Sequence, residues 1–417
     1  MSKENKSRRR DPARSLLSAV MLFFFLGFFM LGIKDGDWLS FLLSLIVPAI
    51  IFVGTVGVAK FFPSDKLLFV LTNFLCALGV LMLYRMDPQK GLSQAVSYGV
   101  GVGCMILCIL LVRYMPDWKH VTGLMILGGL GLLALPLVIG TEINGAQSWI
   151  RLGGMSVQPS EVVKLALLLC VSSLLARKKV LISVAFAAVC LGVLMLQKDL
   201  GTALLYYGVT LVLVYAATGS KTLVGCGLAG GAAAALLGYS MFAHVKLRVS
   251  IWLDPWADPQ GSGYQIVQSL IAIINGGAWG VGLGLGNAQT SIPYAYNDFI
   301  FSVILHEFGM IFGLIVVLVY AFIVIRGIMI ARRSKTAFYA LLATGCSALI
   351  ALQTFVIIGG NIKLIPLTGV TLPFISFGGT SMVSSLCVIG LLQGVAGHNA
   401  AQIKEDRLLA MGGGETE

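Results

Sequence analysis

The sequence predicts an all-α integral membrane protein, a polytopic helical bundle of about twelve transmembrane helices. Three observations carry this expectation. Hydrophobic residues make up 58% of 417 positions and charged residues only 11%, a balance foreign to soluble domains of this size. Apolar runs long enough to span, at roughly 20 residues per crossing, recur along the chain. Lysine and arginine collect in alternate connections, as the positive-inside rule expects.

The first run, Leu16 to Ile33, follows Arg8, Arg9, Arg10 and Arg14. It lacks a small-residue cleavage site and a second span follows within a few residues, so it reads as a retained helix and not as a signal peptide. Further spans begin near Leu39, Lys66, Ser93, Val121, Glu161, Val180, Leu200, Thr222, Asp298, Thr336 and Leu372. With the amino terminus inside, most of the 29 lysines and arginines fall on cytoplasmic segments, as in Arg177-Lys178-Lys179 and Arg332-Arg333. Acids run the other way, with Asp35, Asp37, Asp87, Glu142, Asp199, Asp254, Asp258 and Asp298 outside or at the outer interface. Both termini are therefore expected in the cytoplasm. The net charge of +11 reads as this topology signal plus attraction to anionic inner-leaflet lipid, and nucleic acid is not an expected partner.

All eight cysteines lie in apolar runs, which argues against a disulfide framework or zinc site, and the four histidines have no ligand spacing. Three non-cytoplasmic connections have room for a site: Thr141 to Ser160, His244 to Asn297, and Gly359 to Thr371. The second carries Trp252, Trp256, Trp279, Tyr264, Tyr294 and Tyr296, an aromatic density suited to lipid headgroups. Within it, Gly263 to Ala278 reads as an interfacial helix, either a platform for a lipid-linked substrate or a loop packed on the bundle. Gly280-Val281-Gly282-Leu283-Gly284-Leu285-Gly286 has neither the preceding strand nor the Lys-Ser/Thr of a nucleotide loop, so it reads as a flexible connector. No nucleotide cofactor is expected.

Gln158-Pro159-Ser160-Glu161-Val162-Val163-Lys164 sets a helix start with Glu161 and Lys164 three apart on one face. The pair reads either as mutual neutralisation or, with Arg151, as a binding site for an anionic headgroup. Asp199, in Gln197-Lys198-Asp199-Leu200-Gly201-Thr202, repeats this logic at another outer boundary, with a capping turn as the plainer reading. In Leu372-Pro373-Phe374-Ile375-Ser376-Phe377-Gly378-Gly379-Thr380-Ser381, proline breaks the helix and hydroxyls alternate with glycines. Ser376, Gly378, Gly379 and Thr380 become candidates for binding an anion through freed amides, with close helix packing as the alternative. Asp298 opens the apolar run after the aromatic loop. An acid there suits either the helix dipole or a reaction at the outer interface, and it is expected to share a helical face with Ser302 and Glu307. Such a carboxylate can deprotonate a hydroxyl or hold a divalent cation, magnesium or manganese, against a pyrophosphate; as an ordinary base it is weak, so burial or a metal has to help.

Taken together these segments resemble the SEDS family of shape, elongation, division and sporulation proteins (FtsW, RodA and SpoVE). The matching blocks are Asn144 to Arg151, Gln158 to Glu161 with Lys164, Asp199 to Thr202, Leu253 to Trp256 with Gly261 to Gln265, Asp298 to Phe301, and Leu372 to Gly379, in order over about Lys66 to Gly397. The resemblance implies a ten-helix glycosyltransferase core, 63–397, that polymerises lipid II into glycan strands at the outer face of the bacterial cytoplasmic membrane, with Asp298 catalytic. It also implies Arg151 and Lys164 as suitable partners of the pyrophosphate, a class B penicillin-binding protein as partner, and other divisome or elongasome membrane proteins beside it. Around that core stand a basic tail, 1–14, two additional N-terminal helices, 15–62, and a tail, 398–417. Tyr296-Asn297-Asp298 departs from the usual His-Thr-Asp or His-Ser-Asp, and Ile357-Ile358-Gly359 from Asn-x-Gly, which blurs the branch among division, elongation and sporulation. A lipid II flippase or other transporter, and a non-enzymatic scaffold for wall-synthesis partners, are the alternatives.

Overall fold

The computed structural model describes residues 12–412 apart from 63, 116, 117, 144, 145, 153 and 154. The arginines at 8, 9 and 10 and the residues Asn144 and Gly145 of the first matching block lie outside the described residues. Among the described residues eleven helices are long and apolar enough to cross a membrane. They are α1 (Pro12–Asp35), α2 (Trp38–Phe52, prolonged through a π turn to Phe61), α3 (Lys66–Met86), α4 (Pro88–Tyr114), α5 (Trp118–Ala134, continuing to Ile139) and α6 (Pro159–Ala176), and, beyond a shorter helix α7, α8 (Leu200–Thr218) and α9 (Lys221–Met241). The short helices α10 (Ala243–Leu253) and α11 (Tyr264–Gly276) follow, and then the long α12 (Ile300–Arg332), α13 (Ala337–Asn361) and α14 (Gly379–Gly412). The apolar helix α7 (Val180–Leu196) has 17 residues and completes the expected dozen.

The centre is α3, buried along nearly its whole length and packed against α4, α1 and α12. Crossings alternate, so the connections gather at two ends. One end holds the contacts of the three long loops: Gln147 N donates to the Gln197 carbonyl at 3.0 Å, and Phe377 N to the Tyr296 carbonyl at 2.9 Å. At the other end Arg326 pairs with Asp65, whose carbonyl accepts from Gln393 at 2.9 Å. The start of α1 and the end of α14 both lie toward this second end: Lys34, at the far end of α1, reaches the loop end, and Lys335 pairs with Asp406.

Four local expectations change. The first long loop adds strands to the expected all-α bundle: Thr141–Ile143 (β1), Ala146–Leu152 (β2) and Met155–Val157 (β3) form an antiparallel sheet in the order β1-β2-β3. The last helix starts at Gly379, not near Leu372, because Pro373 and the positive φ of Phe374 (68°) hold the preceding segment out of a helix. The glycine-rich stretch is packed and not a loose connector. Helix α12 breaks at Gly309 (φ 84°, ψ 170°), and the stretch fills that break. Val281 N and Gly282 N donate to the carbonyls of His306 and Glu307, and Met310 N donates to the Gly277 carbonyl. A side chain at Gly309 would place its Cβ 2.3 Å from the Ala278 carbonyl oxygen, so only glycine fits.

The fourth change concerns Glu307, which does not share a face with Asp298. It is fully buried, pairs with Arg85 Nε at 2.7 Å and accepts from Gly284 N at 3.0 Å. Lys34, at the end of α1, donates to the Gly284 carbonyl, so the first of the additional N-terminal helices is bonded to the same glycine-rich stretch.

Candidate functional site

Asp298 sits in the turn just before α12, whose first helical residue is Ile300. Protein fills most of the volume around the Asp298 carboxyl, while the residue as a whole is half-buried. Burial pushes its pKa up to about 6, with the nearby Arg248 guanidinium pulling the other way. That removes the objection that an aspartate is too weak a base: the group stays ionised near neutrality and binds a proton more readily than usual.

Arg248 comes from α10, fifty positions earlier, and is held by its Nη1 donating to the Leu367 carbonyl at 2.9 Å. Trp252 Nε1 donates to the Lys363 carbonyl at 3.2 Å and fixes the same helix on the third loop. Both charged groups converge on Gly369 (φ 76°): a Cβ built there would lie 3.6 Å from Arg248 Nη2 and 3.9 Å from Asp298 Oδ2. Asp199 adds a second acid that acts electrostatically on Arg248. Its carboxylate accepts from Thr202 N at 3.1 Å and Gln158 Nε2 at 3.0 Å, and burial raises its pKa.

The remaining candidates divide. Lys164 is almost fully buried and donates to Glu161 at 2.7 Å and to Gln353 Oε1 at 3.4 Å, while Ser384 donates to the same Glu161 carboxylate. Gln353 Nε2 reaches the Thr371 carbonyl at 2.9 Å, and Thr371 and Ser381 share a 2.6 Å hydroxyl contact, so this buried pair braces the loop beside Asp298. Arg151 is exposed on β2. Ser376 is turned inward, donating to the Asn297 carbonyl at 2.7 Å and accepting from Leu372 N. The Gly378 amide is directed to Gln94 Oε1 at 3.4 Å. The exposed Gly379 and half-buried Thr380 begin α14, where helix N–H groups point outward.

Sequence reasoning missed Arg248. The usable signal was slight: an arginine on the side where cations are scarce, just ahead of the block Leu253-Asp254-Pro255-Trp256.

Fold and site define a multi-pass helical membrane protein with an aspartate and an arginine converging at one end of its bundle. The chain belongs to the cell cycle protein family of FtsW, RodA and SpoVE, whose model matches residues 65–401. It is 36% identical over 382 residues to the peptidoglycan glycosyltransferase RodA of Mycobacterium tuberculosis, covering 82% of this chain and 80% of that one. To the stage V sporulation protein E of Bacillus subtilis it is 31% identical over 365 residues, covering 80% and 97%. The same organism's probable peptidoglycan glycosyltransferase FtsW is 32% identical over 357 residues, covering 77% and 88%. Among solved structures, one described as a peptidoglycan synthase complex coordinating polymerisation and crosslinking superposes with a TM-score of 0.66 at 30% identity, covering 81% of this chain and 98% of that one. The rod shape determining protein RodA of Thermus thermophilus gives a TM-score of 0.60 at 27% identity, with the same coverage of 81% and 98%.

Proposed function

We propose that this chain is a peptidoglycan glycosyltransferase that polymerises lipid II, with Asp298 as its catalytic base. The observation that carries the reading is the carboxylate of raised pKa facing, with the Arg248 guanidinium, the same glycine, Gly369. In the reaction an acceptor sugar hydroxyl gives its proton to Asp298 while its oxygen attacks the anomeric carbon of the donor. The bond from that carbon to the diphosphate breaks, and the lipid diphosphate leaves with the electron pair. Arg248 stands where it can offset the negative charge of the diphosphate, and a guanidinium suits two phosphate oxygens at once. Amides at the start of α14 offer a second place for phosphate oxygens.

Among the described residues no three His, Cys, Asp or Glu side chains converge as a metal site, and Asp298 stands beside a cation instead. Magnesium or manganese would have to draw its remaining ligands from the diphosphate itself, so each step above rests on the protein's own groups.

The Asp298 end is the outer face of the cytoplasmic membrane in this reading, with both termini on the cytoplasmic side. The uneven distribution of lysine and arginine supports this orientation. A penicillin-binding protein partner is supported by the likeness to the solved synthase complex.

The test uses proteoliposomes holding the full chain and lipid II, followed both for glycan polymer and for lipid II translocation. Polymer that depends on Asp298 supports the reading. Translocation that survives Asp298→Ala, with no polymer from the wild type, would replace it with a transporter.

A further inference from the structure

The backbone of Asp298 is not held by the helix it precedes. The first turn of α12 takes its bonds from Phe299, to which Ser302 N donates at 3.0 Å. Instead, the Asp298 carbonyl accepts from Asn361 Nδ2 at 2.6 Å, at the far end of α13. The same amide nitrogen donates to the Ile357 carbonyl at 2.9 Å. Two carbonyl acceptors on one side fix the amide orientation, which leaves Asn361 Oδ1 to accept from Ser302 Oγ at 3.0 Å. Ser269, from α11, completes the group: its one hydroxyl proton is shared between the Ser302 oxygen at 2.6 Å and the Asn361 carbonyl at 3.2 Å.

All three side chains are completely buried. Burying three polar groups costs free energy unless each finds partners, and here they find one another and the carbonyl of the acid. They also come from three different elements, α11, α12 and α13. We infer that Asn361, oriented by Ser302 and Ser269, is a positioning residue that sets where the Asp298 carboxylate stands relative to Arg248. Through Ser269 it also ties that position to α11, whose other face is the amphipathic surface of the large loop.

The inference rests on Asp298 being the catalytic base, and its test separates the two. The full chain with a class B penicillin-binding protein is assayed for polymerisation of purified lipid II across a range of pH. Asn361→Leu keeps the size of the side chain and removes both its donor and its acceptor. The expected result is a fall in kcat of about 10- to 100-fold, the scale of a small misplacement of a reacting group. The KM for lipid II stays near the wild-type value and the acid limb of the pH profile moves. A purely structural role would change the amount of folded protein and leave kcat per folded molecule and the pH profile alone. If Asn361→Leu does not fold, Ser302→Ala decides, with a smaller fall in kcat and the same displaced limb expected. Wild-type kcat and pH profile in whichever of these variants folds overturn the inference. Asp298→Asn runs alongside: if it is inactive while the positioning variants are normal, only the positioning role is lost. If it is fully active, the catalytic reading and the inference fall together.

Discussion

The guanidinium of Arg248 and the carboxylate of Asp298 approach the same glycine, Gly369, from α10 on one side and the start of α12 on the other. This juxtaposition joins two segments far apart in sequence and leaves between them a gap with no side chain. A positive group that can meet phosphate and a negative group that can accept a proton then border one small space.

Arg248 holds the pKa of Asp298 below what burial alone would give. Replacing it with glutamine removes that pull, so the carboxylate takes up a proton at higher pH. The acid limb of the polymerisation profile, expected near pH 6 in the wild type, should move upward in Arg248→Gln and far less in Arg248→Lys. A pH series on both variants checks this.

Asp298 also bears on stability. Its folded pKa of about 6 lies above its ordinary 3.8, so its favourable contribution is complete only below the ordinary value. That contribution is lost as pH rises through 6. Asp298→Asn should therefore stabilise the protein near neutrality, by on the order of 1 kcal/mol after solvent screening, and much less below about pH 4. Thermal unfolding in detergent at the two pH values measures the difference.

Gly369→Ala tests the gap itself. The backbone there has φ of 76°, and an alanine in that region costs about 1 kcal/mol. The added methyl would stand at contact distance from both Arg248 and Asp298, in the space a substrate oxygen needs. Activity should thus fall by more than the loss of folded protein explains, as read from polymer formed per folded molecule.

Lys164 and Glu161 form a buried pair, and removing one partner strands the other charge. Lys164→Met alone should cost about 3–5 kcal/mol, while Lys164→Met combined with Glu161→Gln should recover a large part of it. Unfolding of the single and double variants in detergent decides this.

Much of the architecture could be read directly. The dozen crossings follow from apolar runs, a local property, and the span starts near Lys66, Val180 and Leu200 agree with the helices observed. Asp298 stood out because an acid beside hydrocarbon is costly. Its surroundings were hidden because they are tertiary. Arg248 lies fifty residues away, and nothing in its local pattern shows that Leu367 and Gly369 fold over it. Asn361 looks like a polar end to an apolar helix until its amide meets the Asp298 carbonyl. Glu307 misled for a definite reason: nine positions at about 100° each carry it half a turn away from Asp298, toward Arg85 and the glycine-rich stretch. The sheet in the first loop was equally invisible, its strands being only three to seven residues long.

The central claim is that the Asp298 carboxylate takes the proton during glycan polymerisation. The most direct measurement compares polymer formed from purified lipid II by the full chain with its partner against the same complex carrying Asp298→Asn, both shown to be folded. The account predicts a loss of about 100- to 10,000-fold, the range a positioned general base contributes. Polymer formed at the wild-type rate by folded Asp298→Asn protein would contradict it.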